Sequence, residues 1–128
     1  MHNLDFKTIA RNHPKAFEKL LNWMRVSPFI REYLLKDIYK VGDLSFKNNF
    51  HSLFPVNRTR DLYEFFDTHK LIICIDYYIK IDGSDEIQGF KVVICDDKQT
   101  PQYEYISTNR IEAERNAFIK AFDMLNRS

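Results

Sequence analysis

From Leu71 to Ile81 every odd position is apolar or aromatic: Leu71, Ile73, Ile75, Tyr77, Ile79 and Ile81. The even positions carry Ile72, Cys74, Asp76, Tyr78 and Lys80. A period of two is the signature of a strand with one face toward a core. Asp82, Gly83 and Ser84 supply turn chemistry, and a second run from Gly89 to Cys95 sets Phe90, Val92 and Ile94 on one face. The two runs predict a hairpin that pairs Ile79 with Phe90, Tyr77 with Val92 and Ile75 with Ile94, and so places Cys74 opposite Cys95. Asp96 to Pro101 predicts another turn and Tyr103 to Ile106 a short third strand.

Helical spacing frames this sheet. Thr59 is placed to cap a short helix over Arg60 to Asp67 whose buried face is Leu62, Phe65 and Phe66. After the third strand, Asn109 is an N-cap with Glu112 three residues on, and Glu112 and Glu114 complement the helix dipole. Ile111, Phe118, Phe122 and Leu125 then form one stripe, widened by Ala117 and Ala121. The expected unit over residues 57–128 is therefore αβββα, a three-stranded antiparallel sheet packed by the C-terminal helix. Its second face carries Ile72, Tyr78 and Val93, apolar enough to predict cover from the N-terminal region.

Residues 1–56 read as helical and irregular. Phe6, Ile9 and Ala10 suggest a short first helix, and Pro14 restarts the chain as an N1 proline before Phe17, Leu20, Leu21 and Met24. Ile30, Tyr33, Leu34 and Ile38 continue at helical spacing to Gly42, and an aromatic connector runs to Pro55. The fold class is α+β, and a chain of 128 residues fits a single domain, 1–128.

Composition narrows the partners more than the chemistry. Eleven Phe and seven Tyr make an aromatic core, and few Gly and Pro argue against disorder. A net charge of +1 with mixed signs advertises no polyanion partner. The longest apolar runs fall far short of the roughly 20 residues of a membrane span, and no basic-then-apolar leader opens the sequence. A cytoplasmic location with reduced Cys74 and Cys95 is expected, and no membrane association.

Catalytic signatures are absent from the sequence: it holds no glycine-rich phosphate loop, nucleophile elbow or dinucleotide fingerprint. His2, His13, His51 and His69 lack metal-ligand spacing, so neither metal nor cofactor is expected. The acidic segment Asp82 to Glu86 lacks an EF-hand frame and reads as a hairpin tip. Asp76, Asp96 and Asp97 would suit a magnesium-dependent phosphoryl reaction if the fold gathered them. Arg58, Arg60 and Lys70 flank the short central helix, near tyrosines on the strands, and are the candidate nucleic-acid contacts. Trp23, Phe29 and the aromatics from Phe46 to Phe54 suggest a protein-binding face, for a homodimer or another protein.

The order helix, three strands, helix over residues 60–127 resembles double-stranded RNA-binding domains, and EAERNAFIKAFDML looks like their final helix. That resemblance implies lysines at the start of the last helix to meet phosphates, where this chain has Asn109, Arg110, Glu112 and Glu114. Three segments, HPKAFEKLLNWM from His13, RDLYEFFDTHKLIICI from Arg60 and RIEAERNAFIKAFDML from Arg110, resemble short uncharacterised Bacteroidetes proteins associated with prophages and mobile elements. The resemblance implies a small, bacterial, cytoplasmic accessory protein and carries no activity; with no catalytic signature in the sequence, the expected function is that of a non-enzymatic accessory or interaction protein. A nucleic-acid-binding module and a small magnesium-dependent phosphoryl-processing enzyme are the alternatives.

Overall fold

The structure, a computed structural model, describes residues 4–26, 59–83 and 85–128. The chain is α+β, and the described residues form four helices and one three-stranded antiparallel sheet. We label the helices α1 (Phe6–Asn12), α2 (Pro14–Val26), α3 (Thr59–Thr68) and α4 (Arg110–Arg127), and the strands β1 (Ile72–Asp82), β2 (Asp85–Cys95) and β3 (Pro101–Ser107). The expected helix over Ile30 to Ile38, the connector to Pro55 and Arg58 lie outside the described residues. No helix among the described residues is long and apolar enough to cross a membrane.

The described residues divide into two compact units, one of residues 59–121, the other of residues 4–26 and 122–128. In the first, the sheet order is β1-β2-β3. Helix α3 buries Leu62, Phe65 and Phe66, as their spacing predicts. It ends in a Schellman motif: the Leu71 N–H donates to the Phe66 carbonyl at 3.0 Å and the Lys70 N–H to the Asp67 carbonyl at 3.0 Å. Lys70 takes the left-handed conformation this requires, φ 63°.

Helix α4 begins as its cap predicts, with the Glu112 N–H donating to Asn109 Oδ1 at 3.1 Å. The reciprocal half of a capping box is replaced, since the Asn109 N–H donates to Ser107 Oγ at 3.2 Å. The buried line along the helix starts at Ala113 and continues through Ala117, Phe118 and Ala121. Ile111, expected on that stripe, is 49% exposed. It belongs to the first turn, where the Arg110 guanidinium lies 6.0 Å from the centre of the Phe90 ring. Farther along, Lys120 Nζ stands 5.2 Å from the centre of the Tyr103 ring. Phe90 faces Ser107 at the end of β3 and Tyr103 faces Ile94, so α4 runs from the level of Phe90 back over the three-stranded part of the sheet.

The hairpin register differs from the expected one by two residues. Ile79 faces Gln88, Tyr77 faces Phe90, Ile75 faces Val92 and Ile73 faces Ile94. Cys74 therefore faces Val93, Cys95 faces Ile72, and both thiols are free. The strand pair closes at Asp82 and Asp85 around a two-residue turn in which Gly83 has φ 67°. The expected register would have set Ser84 first in the turn and Gly83 in the strand. Glycine is the residue that takes a positive φ there without steric cost, and it draws the turn to itself. Strand β2 starts at Asp85 rather than Gly89, and β3 spans Pro101–Ser107 rather than Tyr103 to Ile106. The β2–β3 turn is the five residues from Asp96 to Thr100, with Asp96 Oδ1 accepting from the N–H groups of Lys98 and Thr100 and Gln99 at φ 63°.

In the second unit Pro14 does open α2, and Phe6, Ile9, Ala16, Phe17, Leu20, Leu21, Phe122 and Leu125 are buried. Asp5 caps α1, accepting from the N–H groups of Lys7 and Thr8, and the Thr8 hydroxyl first, then these backbone bonds, hold its carboxyl below the ordinary value. The start of α2 is capped from a distance: Asn126 Oδ1 accepts from the Lys15 N–H at 2.9 Å and the Ala16 N–H at 3.2 Å. These are two of the donors a helix start leaves without an intrahelical partner.

Candidate interaction surface

Strands β1 and β2 are eleven residues long, but β3 accompanies β2 only from Cys95 to Phe90. Beyond Tyr77 and Phe90 the hairpin continues as a two-stranded ribbon for about 17 Å, taking about 3.4 Å per residue to Asp82. Helix α4 starts at the ribbon's base and runs away from it. The core-facing row of β1 records the change. Ile73 is buried and Ile75 half-buried, while Tyr77, Ile79 and Ile81 are 56%, 52% and 74% exposed.

The same face of β2 turns polar where it passes the end of β3. Opposite Ile79 stands Gln88 and opposite Ile81 stands Glu86. The Tyr77 hydroxyl donates to Gln88 Oε1 at 2.8 Å, and Gln88 Nε2 donates to Glu86 Oε1 at 3.1 Å. The Tyr77 ring meets Phe90 edge-on at 5.6 Å between centres. The arrangement fixes Tyr77 and leaves an apolar row on β1, the strand that among the described residues has a strand neighbour on the β2 side only. The opposite face of the sheet, expected to be covered, is half-buried at Ile72, Tyr78 and Val93 and open at Cys74, Glu104 and Ile106.

The two outer strands differ in how they guard their edges. Strand β3 is short, starts with Pro101, which has no N–H to offer, and borders a register irregularity at Ile94 and Cys95. Strand β1 has eleven residues with no proline, and its pairing with β2 is unbroken from Ile72 to Asp82. Long, regular edges with apolar side chains are sites for strand addition.

The residues singled out by sequence fare differently. Arg58 lies outside the described residues, whereas Arg60 and Lys70 stand at opposite ends of α3, about 15 Å apart along the helix axis. Arg60 pairs with Glu64 at 3.6 Å and Lys70 with Asp97 at 3.4 Å, both at the exposed surface. Asp96 is occupied with the turn it caps and Asp97 with Lys70, while Asp76 faces Lys91 across the strands. Among the described residues no three His, Cys, Asp or Glu side chains gather as metal ligands would, so Asp76, Asp96 and Asp97 do not form one site. His13 lies 3.9 Å from Asp123, and the His69 ring packs edge-on against Phe65. Partial desolvation on the sheet and the nearby Cys95 push the Cys74 thiol up, away from the thiolate form a nucleophile needs. Trp23 is half-buried, and Phe29 and the Phe46 to Phe54 segment lie outside the described residues.

Sequence reasoning passed over Ile79 and Ile81, and took Tyr77 only as one of the strand tyrosines near the basic group, because their period places them in a core. The signal that distinguishes them is on the partner strand, where the facing positions change from Val92 and Phe90 to Gln88 and Glu86. Comparison with protein-family models, curated proteins and solved structures found no match.

Proposed function

We propose that this chain is a non-enzymatic interaction protein that docks a protein partner along the β1–β2 ribbon, in the accessory role within a bacterial mobile element that its resemblance implies. One observation carries the reading: the core-facing row of β1 continues through Tyr77, Ile79 and Ile81 beyond the reach of α4 and stays exposed. An apolar row of this kind gains by leaving water, at about 25 cal/mol per Å² of apolar surface. Isolated exposed hydrophobes are ordinary, but three in register on one strand, beside an edge with no strand neighbour among the described residues, form a continuous surface.

A photo-cross-linking amino acid at position 81 tests this, with one at the exposed Gln102 as control. Position 81 should give a discrete protein adduct in the cell that Gln102 does not, and Ile79→Ser should abolish it. Equal, diffuse labelling from both positions would sink the proposal.

A further inference from the structure

We infer that the occupant of this surface is a second copy of the chain, joined β1 to β1 as antiparallel strands about a two-fold axis at Tyr78. This rests on the docking reading above and names its partner. A two-fold axis perpendicular to the sheet keeps the core-facing sides of both copies together, so the odd positions of one β1 must face odd positions of the other. With Tyr78 facing Tyr78, Ile75 stands opposite Ile81, Tyr77 opposite Ile79, and Asp76 opposite Lys80, each of them twice. The exposed residues Tyr77, Ile79 and Ile81 of each copy thus meet the same row of the other, and of the even positions Asp76 and Lys80 stand opposite each other while Cys74 stands opposite Asp82.

Neighbouring registers lack this match. Moving the axis to Ile79 sets Asp76 opposite Asp82, and moving it to Asp76 or Lys80 sets that charge against itself. Moving it to Tyr77 leaves Asp76 opposite Tyr78 and Lys80 opposite Cys74, with no charge pair at all. Opposite charges directly across a strand pair stabilise it and like charges oppose it, so the pattern selects one register out of these five. The edge of β1 away from β2, which has no strand neighbour among the described residues, would supply the hydrogen bonds, as in strand addition generally. Strand β3, with Pro101 and its adjoining irregularity, is guarded against the same reaction.

Charge exchange between two variants tests the register. Asp76→Lys alone places Lys opposite Lys80, and Lys80→Asp alone places Asp opposite Asp76, so each variant should dimerise at least about tenfold more weakly than the parent by sedimentation equilibrium. An equimolar mixture of the two sets opposite charges together again and should form a heterodimer close to the parent's affinity. Circular dichroism and melting temperature report whether each variant is folded, and recovery in the mixture is open only to folded chains. A parent protein that stays monomeric at every concentration overturns the second-copy assignment. A discrete adduct from position 81 to a different protein would leave the docking reading standing without it, and no adduct at all would remove both. Single variants that dimerise as the parent does, or a mixture that fails to recover, overturn the register.

Discussion

Gly89 lies where β2 passes the end of β3, and its substitution by alanine isolates one close contact. A Cβ at this position would sit 2.8 Å from the Ser107 carbonyl oxygen, and 3.5 Å from Ile106 Cγ2, an ordinary separation. The carbonyl cannot rotate away like the end of a long side chain. It belongs to the residue whose hydroxyl accepts from the Asn109 N–H at the entry to α4. Forcing an extra carbon into a packed site costs about 1–3 kcal/mol. Replacing glycine with alanine recovers about 0.4–1 kcal/mol by restricting the unfolded chain. The expected net loss is about 1–2 kcal/mol. With an unfolding entropy of about 2.1 cal/mol/K per residue over 128 residues, that lowers the melting temperature by about 4–7 °C. Gly83 is the control, since nothing stands within 4 Å of its added Cβ and only its φ of 67° resists a side chain. Asparagine tolerates that conformation, so Gly83→Asn should melt near the parent and above Gly83→Ala. At Gly89 the order reverses, with asparagine at least as damaging as alanine. A neutral Gly89→Ala, or a Gly89→Asn more stable than Gly89→Ala, would refute the steric argument.

Asn126→Ala should cost about 1–2 kcal/mol in urea unfolding, because it removes the acceptor for both the Lys15 and Ala16 N–H groups; Asn126→Asp keeps an acceptor at a helix N-terminus and should retain most of that stability. Tyr63→Phe removes the 2.8 Å hydrogen bond to Glu114 and should cost about 1 kcal/mol near neutral pH, a figure discounted because Tyr63 is only half-buried. Burial, followed by the hydrogen bond and charge of Glu114, raises the Tyr63 phenol above its ordinary value, so its contribution is full below about pH 10 and falls as pH rises further. The stability gap between parent and Tyr63→Phe should therefore narrow from pH 10 to 11, and a widening gap would contradict the assignment. Gln99→Gly should raise the melting temperature, relieving a φ of 63° worth about 1 kcal/mol, whereas Gln99→Val should lower it.

Local chemistry was legible where neighbours in sequence decide it. The period of β1, the N-cap at Asn109, the proline start of α2 and the buried face Leu62, Phe65 and Phe66 all depend on residues within a turn or two. Asn126 was not legible as a cap, because the donors it serves lie at Lys15 and Ala16 and asparagine carries no signal of where its side chain reaches. Ile111 has the right angle for the stripe of α4, but periodicity says which side a residue faces and not how far the opposing surface extends. The spacing within the basic group was likewise not legible. Arg60 and Lys70 bracket one helix in sequence, and the helix holds its two ends apart.

The hairpin register joins this limit to the proposed site. A slip of two residues keeps every side chain on its face, so the hydrophobic pattern is identical in both registers and cannot choose between them. The turn chooses, by placing Gly83 at the position of positive φ. That choice moves Phe90 from opposite Ile79 to opposite Tyr77, and brings Gln88 and Glu86 to face Ile79 and Ile81. In the expected register Phe90 would have shielded Ile79 from the side. In the observed one Tyr77 takes that contact and two isoleucines are left on the outermost strand, flanked by polar neighbours on the inside. Cover from above would bury Gln88 and Glu86 along with them, at the cost of removing a carboxylate from water. Cover from alongside would reach the isoleucines and the edge of β1 away from β2, which has no strand neighbour among the described residues, while leaving Glu86 solvated. A strand laid against β1 would meet both demands, and charge exchange at positions 76 and 80 tests whether a second β1, in the register centred on Tyr78, is that strand.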